Sequence, residues 1–182
     1  GRWLHDHDKT CGLISVERII TKSSNIGAAK IGIKMGSRRL YEYMCDYGFG
    51  ARTGIPLPFE SPGISYRPEK WSKVSIAQIP MGHGVAVTRL QMVMAMSAIA
   101  NNGRLMRPFL VNRLEDGDAK IIAQYKPEVV RQVVSEATAK QMVQALKTVV
   151  TKEGTAEKAA LDNYTVAGKT GTAQKTIEGV RG

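Results

Sequence analysis

The chain has 182 residues, of which 43% are hydrophobic and 23% are charged, and this balance excludes a disordered polypeptide. The length accommodates one domain with a hydrophobic core. Lys and Arg outnumber Asp and Glu by 26 to 16, and the net charge of +10 attracts polyanions. The basic residues are scattered and only 6% of the residues are aromatic, so the composition does not indicate a nucleic-acid surface.

The two cysteines, Cys11 and Cys45, are too few to predict a disulfide framework, and their pairing stays open. No run of eighteen apolar residues predicts a membrane span, and the N-terminus lacks the pattern of a signal peptide. The chain begins with Gly1 rather than Met and ends at Gly182. We therefore expect both ends to be truncated, with any membrane anchor upstream.

Helical periodicity runs through the first forty-eight residues and predicts three helices. The second is predicted from Asn25 to Met35, where Gly36 suits a left-handed cap, and Ser37 is placed to cap the third. Four prolines and three glycines predict a loop over residues 49–68.

The central part of the chain predicts two helices and a hairpin. A short helix is expected from Trp71 to Ile79. Thr88 and Gln91 form a capping box that opens a second helix, which runs to Ala100 and is apolar around most of its circumference, so we expect it to be buried. Asp116-Gly117 predicts the turn of a hairpin between residues 109–114 and 121–125.

The C-terminal part predicts one helix followed by a strand. Ser135 is placed to cap a helix whose apolar period continues to Gly154. Residues 164–169 alternate in the manner of a strand that enters Lys-Thr-Gly-Thr.

Two short motifs carry the chemistry. Ser23-Ser24-Asn25 lies at a predicted helix–helix junction, and Lys169-Thr170-Gly171-Thr172 lies on the predicted strand. Either alone is weak, because Ser-x-Asn is a common N-cap string and Lys-Thr-Gly also occurs by chance. In this order and on these elements they match two of the three motifs shared by β-lactamases and penicillin-binding proteins.

Longer strings surround the two motifs. They are Lys22-Ser23-Ser24-Asn25-Ile26-Gly27, Gly48-Phe49-Gly50, Thr53-Gly54-Ile55-Pro56-Leu57-Pro58 with Glu60, Gly82-His83-Gly84, Val87-Thr88 with Leu90-Gln91, Ala100-Asn101-Asn102-Gly103 and Ala167-Gly168-Lys169-Thr170-Gly171-Thr172-Ala173. From about residue 12 to 175 the chain resembles the class B penicillin-binding proteins, the monofunctional D,D-transpeptidases. The resemblance implies an α+β chain, a partial β-lactamase/transpeptidase-like fold with mainly the helical lobe and the Lys-Thr-Gly strand.

The resemblance also implies acyl transfer from a D-Ala–D-Ala stem peptide, which needs a serine nucleophile, a base, an oxyanion hole and a carboxylate clamp. Ser23 would relay protons between the lysine of the nucleophile and the leaving group. Asn25, whose amide both donates and accepts, would orient the substrate and hold that lysine.

The second motif would bind the substrate. Lys169 would supply positive charge near the substrate carboxylate, and the hydroxyls of Thr170 and Thr172 would hydrogen-bond that carboxylate. Gly171 would let the acyl donor lie against the strand. The Thr172 N–H is the expected oxyanion donor.

One motif of the family is absent from this chain. None of its ten serines is followed by Lys three residues later, and only Thr155-x-x-Lys158 and Thr172-x-x-Lys175 come close. In the family that motif precedes the position of Ser23. We therefore predict a transpeptidase-domain fragment over residues 1–182, without its nucleophile and inactive when isolated.

Three other residue patterns could indicate a metal site, a nucleotide site or a reactive cysteine, but each has a more ordinary structural explanation. His5-Asp6-His7-Asp8 could ligate a metal but is more typical of a solvated loop, so we predict no metal site. Gly168-Lys169-Thr170 could close a P-loop, but that motif needs Gly where Asn163 stands. Cys45 is expected to be buried rather than reactive.

The sequence therefore predicts a serine D,D-transpeptidase that cross-links peptidoglycan and is acylated by β-lactams, with no cofactor and no nucleic-acid partner. Its expected partners are the stem peptide, β-lactams and the cell-wall synthesis machinery. The resemblance implies the extracytoplasmic face of the bacterial membrane, with an anchor outside residues 1–182. Two alternatives stay open: a serine β-lactamase of the same fold, and a noncatalytic basic binding domain.

Overall fold

The structure is a computed structural model that describes residues 4–6, 12–171, 176–177 and 180–181. Its α-helices are α1 (Val16–Lys22), α2 (Asn25–Met35), α3 (Ser37–Asp46), α4 (Ser75–Gln78), α5 (Arg89–Ala100) and α6 (Glu136–Thr148). Its strands are β1 (Arg104–Met106), β2 (Arg113–Glu115), β3 (Ile121–Gln124), β4 (Val129–Gln132), β5 (Thr176–Ile177) and β6 (Val180–Arg181). Short 3₁₀ turns span Pro68–Lys70, Ile79–Met81 and Glu157–Ala159.

The described residues divide into two compact units. The first contains those within Gly1–Tyr41, Tyr66–Val85 and Gln141–Gly182, and the second contains those within Glu42–Ser65 and Ala86–Lys140. Both predicted motifs belong to the first unit. None of the described helices is long and apolar enough to cross a membrane.

Helices α1 and α2 pack closely in the first unit. A Cβ added to Gly27 would lie 2.6 Å from Cγ1 of Ile19, so this glycine permits the approach of the two helices. Thr21 of α1 is buried, and its hydroxyl lies 2.5 Å from the hydroxyl of Thr148 at the end of α6. The end of α6 therefore packs against the helix that leads into the Ser-Ser-Asn motif.

Helix α2 has the predicted bounds, Asn25–Met35, and ends before Gly36, whose φ of 84° favours glycine. The short helix predicted from Trp71 to Ile79 begins only at Ser75. Ser72 and Ser75 exchange local hydrogen bonds instead: the Ser72 N–H donates to Ser75 Oγ and the Ser75 N–H donates to Ser72 O, each at 3.0 Å. The first is a side-chain bond and the second is a main-chain bond, and together they close a local turn that precedes the helix.

The core of the second unit lies between α5 and an antiparallel pair of strands, β1 and β4. Ala98, Leu105 and Val133 are buried together there. The predicted capping box of α5 is confirmed, since Thr88 and Gln91 bond each other's backbone N–H. The helix is not buried all round as predicted, because only one face packs against its neighbours, and Met92 and Val93 are exposed.

The predicted loop over residues 49–68 is confirmed, and a buried amide holds it. The Gln91 side chain is 1% exposed, and its Nε2 donates to the carbonyls of Gly48, Ala51 and Pro62 at 3.3, 2.7 and 2.9 Å. The predicted hairpin is also present, as antiparallel β2 and β3. It is shorter than predicted, because residues 109–112 precede the first strand.

Helix α6 begins as predicted after Ser135, whose hydroxyl accepts a bond from the Thr138 N–H at 3.1 Å, but it ends at Thr148. The Lys-Thr-Gly segment differs from the prediction, because residues 165–171 lie in neither a helix nor a strand. A strand requires a neighbour for its backbone groups, and among the described residues the only main-chain to main-chain bond of this segment runs from Gly168 N–H to Leu146 O, at 3.2 Å.

Candidate active site

The two predicted motifs meet in the first unit. The Lys169 ammonium group donates a hydrogen bond of 2.7 Å to the Ser23 hydroxyl, 146 residues away in the sequence. The same ammonium lies 3.1 Å from the carbonyl oxygen of Thr170 and 3.3 Å from its hydroxyl oxygen. The structure therefore brings Ser23, Lys169 and Thr170 into one hydrogen-bonded cluster.

The backbone at the end of α1 fixes the position of Ser23. Its φ of 53° and ψ of 44° are left-handed, its N–H donates to Ile20 O at 3.2 Å, and the next N–H, of Ser24, donates to Ile19 O at 3.0 Å. These two bonds form a Schellman motif, in which glycine usually occupies the left-handed position. Ser23 thus presents a hydroxyl from a helix end that would ordinarily carry no side chain.

Ser24 serves as the cap of α2. It is 4% exposed, and its hydroxyl accepts a bond from the Gly27 N–H at 2.9 Å while donating to the Asp6 carboxylate at 2.8 Å. The other Asp6 oxygen accepts from the Ile26 N–H at 2.9 Å. Two of the first N–H groups of α2 are thereby satisfied, and the Ser24 hydroxyl is committed to structure.

Asn25 is the first residue of α2 and is half-buried. No side chain in the described part of the chain bonds its amide, which stands outside the cluster of Ser23, Lys169 and Thr170. The amide keeps both a donor and an acceptor for a group that this cluster does not supply.

The ammonium group of Lys169 is partly withdrawn from water, although the residue as a whole is exposed. This desolvation lowers the pKa of Lys169 from its ordinary value of 10.5, because it disfavours the charged form. The group still has three hydrogen-bond acceptors around it, all of them uncharged. An anionic ligand beside it would supply a countercharge that the described residues around the ammonium group do not.

The sequence reasoning missed Thr155 as a part of this cluster. Its hydroxyl lies 2.8 Å from the Thr170 hydroxyl. Sequence inspection selected Thr155 only for the string Thr155-x-x-Lys158, and no spacing rule connects it with a motif fifteen residues away. The contact arises because the loop after α6 turns back toward Thr170.

The remaining predicted site residues lie at the edge of the described chain. Gly171 is exposed, and a Cβ added to it would meet nothing within 4 Å, so the described residues do not explain its lack of a side chain. Thr172 lies outside the described residues, and so do His7, Asp8 and Cys11. Cys45 is a free thiol and is half-buried.

Metal ligands do not cluster in the parts of the chain that the structure describes: no group of three or more His, Cys, Asp or Glu side chains is placed to hold an ion. Asp6, from the candidate metal string, instead uses both carboxylate oxygens as acceptors at the start of α2.

The cluster can bind a carboxylate and can move a proton at a hydroxyl, but it does not contain a serine–lysine pair one helical turn apart. A hydroxyl becomes a competent nucleophile when a base lies within hydrogen-bond reach. The Ser23 hydroxyl instead accepts a bond from an ammonium group, which acts as a donor. These residues therefore fit substrate binding and proton relay better than nucleophilic attack.

Comparisons with known proteins give a consistent result. The family profile described as "Penicillin binding protein transpeptidase domain" matches residues 1–182. The chain is 38% identical over 142 residues to stage V sporulation protein D of Bacillus subtilis, covering 78% of this chain and 22% of that protein. It is 30% identical over 154 residues to the probable peptidoglycan D,D-transpeptidase FtsI of Caulobacter vibrioides, covering 84% of this chain and 24% of that protein.

The fold is similar to that of solved structures. Penicillin-binding protein 3 from Mycobacterium tuberculosis, complexed with aztreonam, superimposes with a TM-score of 0.86 at 33% identity, covering 97% of this chain and 41% of that one. The predicted α+β fold class is therefore confirmed. The chain spans less than a quarter of the length of the two curated relatives.

Proposed function

The chain belongs to the family of penicillin-binding protein transpeptidase domains, and from this premise we propose that the intact protein is a peptidoglycan D,D-transpeptidase. In this proposal a serine attacks the D-Ala–D-Ala bond of a stem peptide, releases the terminal D-Ala and forms an acyl-enzyme. The amine of a second stem peptide then takes the acyl group. β-Lactams acylate the same serine, and the reaction uses no cofactor.

One observation carries the proposal: the bond between the Lys169 ammonium and the Ser23 hydroxyl. It joins the two motifs that acyl transfer requires on the same cleft, one for proton transfer and one for the carboxylate of the substrate. Lys169 and the hydroxyl of Thr170 supply a positive charge and a donor within 3.3 Å of each other, as a carboxylate site needs.

The other roles follow from the same chemistry. Ser23 relays a proton to the leaving amine, and Asn25 orients the substrate with its amide. The hydroxyl and N–H of Thr172 bind the carboxylate and the oxyanion, and Gly171 leaves room for the substrate backbone.

The names of the relatives support the same substrate class. The relative from Caulobacter vibrioides is called a probable peptidoglycan D,D-transpeptidase, and the structural neighbour from Mycobacterium tuberculosis was solved with aztreonam. For the intact protein we propose the same reaction at the extracytoplasmic face of the membrane, with an anchor outside residues 1–182 and with the cell-wall synthesis machinery as its partner.

The nucleophile is assigned to a Ser-x-x-Lys motif that precedes residue 1 in the intact protein. The coding sequence upstream tests this assignment directly, since the motif must be found there. Intact mass spectrometry after incubation with a penicillin tests the chemistry. We expect one equivalent of adduct on the intact protein, surviving denaturation, and none on the 182-residue chain.

Each outcome of the mass measurement has a distinct meaning. A stoichiometric adduct on the 182-residue chain would show that one of its own residues acts as the nucleophile. No adduct on a folded intact protein would contradict the transpeptidase and favour a noncatalytic basic domain. An adduct that hydrolyses within seconds would favour a β-lactamase.

A further inference from the structure

The loop after α6 delivers the Thr155 hydroxyl to the Lys-Thr-Gly segment in a fixed conformation. The residues on either side of Thr155 both bond to the loop's own backbone: the Gly154 N–H donates to Thr151 O and the Ala156 N–H donates to Val149 O, each at 2.9 Å. Val149 is fully buried and anchors the loop in the core of its unit. Thr155 is therefore positioned by main-chain bonds on both sides.

The Thr170 hydroxyl has few positions for hydrogen bonds, and its neighbours occupy them. Its hydroxyl oxygen has two lone pairs and one hydrogen. The Lys169 ammonium, 3.3 Å away, has no lone pair and can only donate, so it occupies one of the two acceptor positions of the Thr170 oxygen. The Thr155 hydroxyl, 2.8 Å away, can either donate into the second position or accept the Thr170 hydrogen.

We propose that Thr155 is a positioning residue of the active site, which donates its hydrogen to the Thr170 oxygen and so directs the Thr170 hydrogen toward the carboxylate of the bound stem peptide or β-lactam. With both lone pairs occupied by donors, the Thr170 hydroxyl can act only as a donor. Hydrogen bonds in such a chain also polarise one another, which strengthens the last bond of the chain. The inference rests on the proposed function, since it names the anion that this hydrogen meets.

The proposal determines whether removal of the Thr155 hydroxyl weakens or strengthens carboxylate binding. If Thr155 donates, its removal frees a lone pair on Thr170 and lets the Thr170 hydrogen turn away from the ligand, so carboxylate binding weakens. If Thr155 accepts instead, its removal releases the Thr170 hydrogen, and carboxylate binding stays the same or improves.

Stopped-flow acylation of the intact protein by a fluorescent penicillin tests the direction of this change. Thr155→Val, which removes the hydroxyl and keeps the shape, should lower the second-order rate constant about three- to tenfold, the range expected for one net hydrogen bond. Thr155→Ser, which keeps a hydroxyl at this position, should have the rate constant of the unsubstituted protein. The matched control is Thr151→Val on the same loop, whose hydroxyl donates to the Thr148 carbonyl at 2.8 Å and bonds no other group among the described residues, and it should leave the rate unchanged.

A double-mutant cycle with Thr170→Val separates positioning from a general effect on the fold. In the Thr170→Val background, Thr155→Val should have no further effect, because the hydroxyl through which Thr155 acts is gone. A rate that is unchanged or raised in Thr155→Val, or an equal loss in both backgrounds, overturns the proposal. If the unsubstituted intact protein is not acylated at all, the proposed function itself fails, which is a distinguishable result.

Discussion

The α1–α2 junction and the Lys169–Gly171 segment are joined by one hydrogen bond but are stabilised in different ways. At the junction, a left-handed turn and the buried Ser24 cap are sequence neighbours, and the Asp6 carboxylate, 18 to 20 residues away, accepts bonds from Ser24 and the Ile26 N–H. The Lys169–Gly171 segment is exposed and lies in neither a helix nor a strand. Its contacts within the described residues come from side chains at Ser23 and Thr155.

The difference shows that the two halves of the candidate site depend on different parts of the chain. Caps are local, so the turn at Ser23 and the cap at Ser24 come from sequence neighbours, and Asp6 adds one contact from a more distant residue. A strand gains its stability from a partner along its length. We therefore expect substitution of the capping residue Ser24 to act mainly on folding, and substitutions in the Lys169–Gly171 segment to act mainly on ligand binding.

The largest effect is expected at Lys169. In the intact protein, Lys169→Ala should slow acylation by a penicillin about 10- to 100-fold, because bonds to charged groups are the stronger class, and it should leave the melting temperature unchanged, because the side chain is exposed. The matched control is Lys158→Ala, another exposed lysine of the same unit. Stopped-flow fluorescence measures the rate, and an equal effect of both substitutions would remove Lys169 from the site.

A second substitution pair compares neighbours within the junction. Ser24→Ala should destabilise the protein by about 1–2 kcal/mol, because it removes a buried cap and leaves the Asp6 carboxylate short of a donor. Asn25→Ala should change the stability by less than about 0.5 kcal/mol but slow acylation more than Ser24→Ala. Chemical denaturation and acylation rates measure the two properties. Equal acylation rates for the two variants would contradict the assignment of Asn25.

A smaller effect is expected from pH. Desolvation lowers the pKa of Lys169, so between this lowered value and 10.5 the unfolded chain binds more protons than the folded chain, and stability from this group rises as pH rises. Over the same window the folded protein loses the positive charge that a carboxylate needs. The second-order acylation rate should therefore decline on the alkaline side before an ordinary lysine would titrate.

Lys169→Arg provides the comparison for this pH dependence, because a guanidinium group stays charged throughout the window. The ratio of the wild-type rate to the Lys169→Arg rate should fall as pH rises toward 10.5. A ratio that does not change with pH would show that the charge at residue 169 does not control acylation.

Local patterns in the sequence predicted the elements whose ends are capped by nearby side chains. The bounds of α2 and the capping box of α5 are as predicted, since Ser24 and Thr88 bond N–H groups three residues away. Turn chemistry likewise predicted the hairpin around Asp116. In each case the residues that decide the conformation are adjacent in the chain.

Contacts between distant segments were not predictable in the same way. The pairing of β1 with β4, the exposure of Val93 and the contact of Thr155 with Thr170 depend on which surfaces meet, and periodicity carries no such information. The juxtaposition of Ser23 with Lys169 was expected only through the family resemblance. Residues 165–171 show the limit most clearly, because an alternating pattern does not specify a partner strand.

The left-handed backbone at Ser23 separates what folding favours from what the proposed reaction needs. A non-glycine residue in this conformation carries strain of about 1 kcal/mol or more, so Ser23→Gly should relax the turn between α1 and α2 while removing the hydroxyl that Lys169 contacts. A library randomised at this position should therefore be enriched in different residues under two selections. Sorting for thermal resistance alone should return glycine, and sorting for penicillin acylation should return serine.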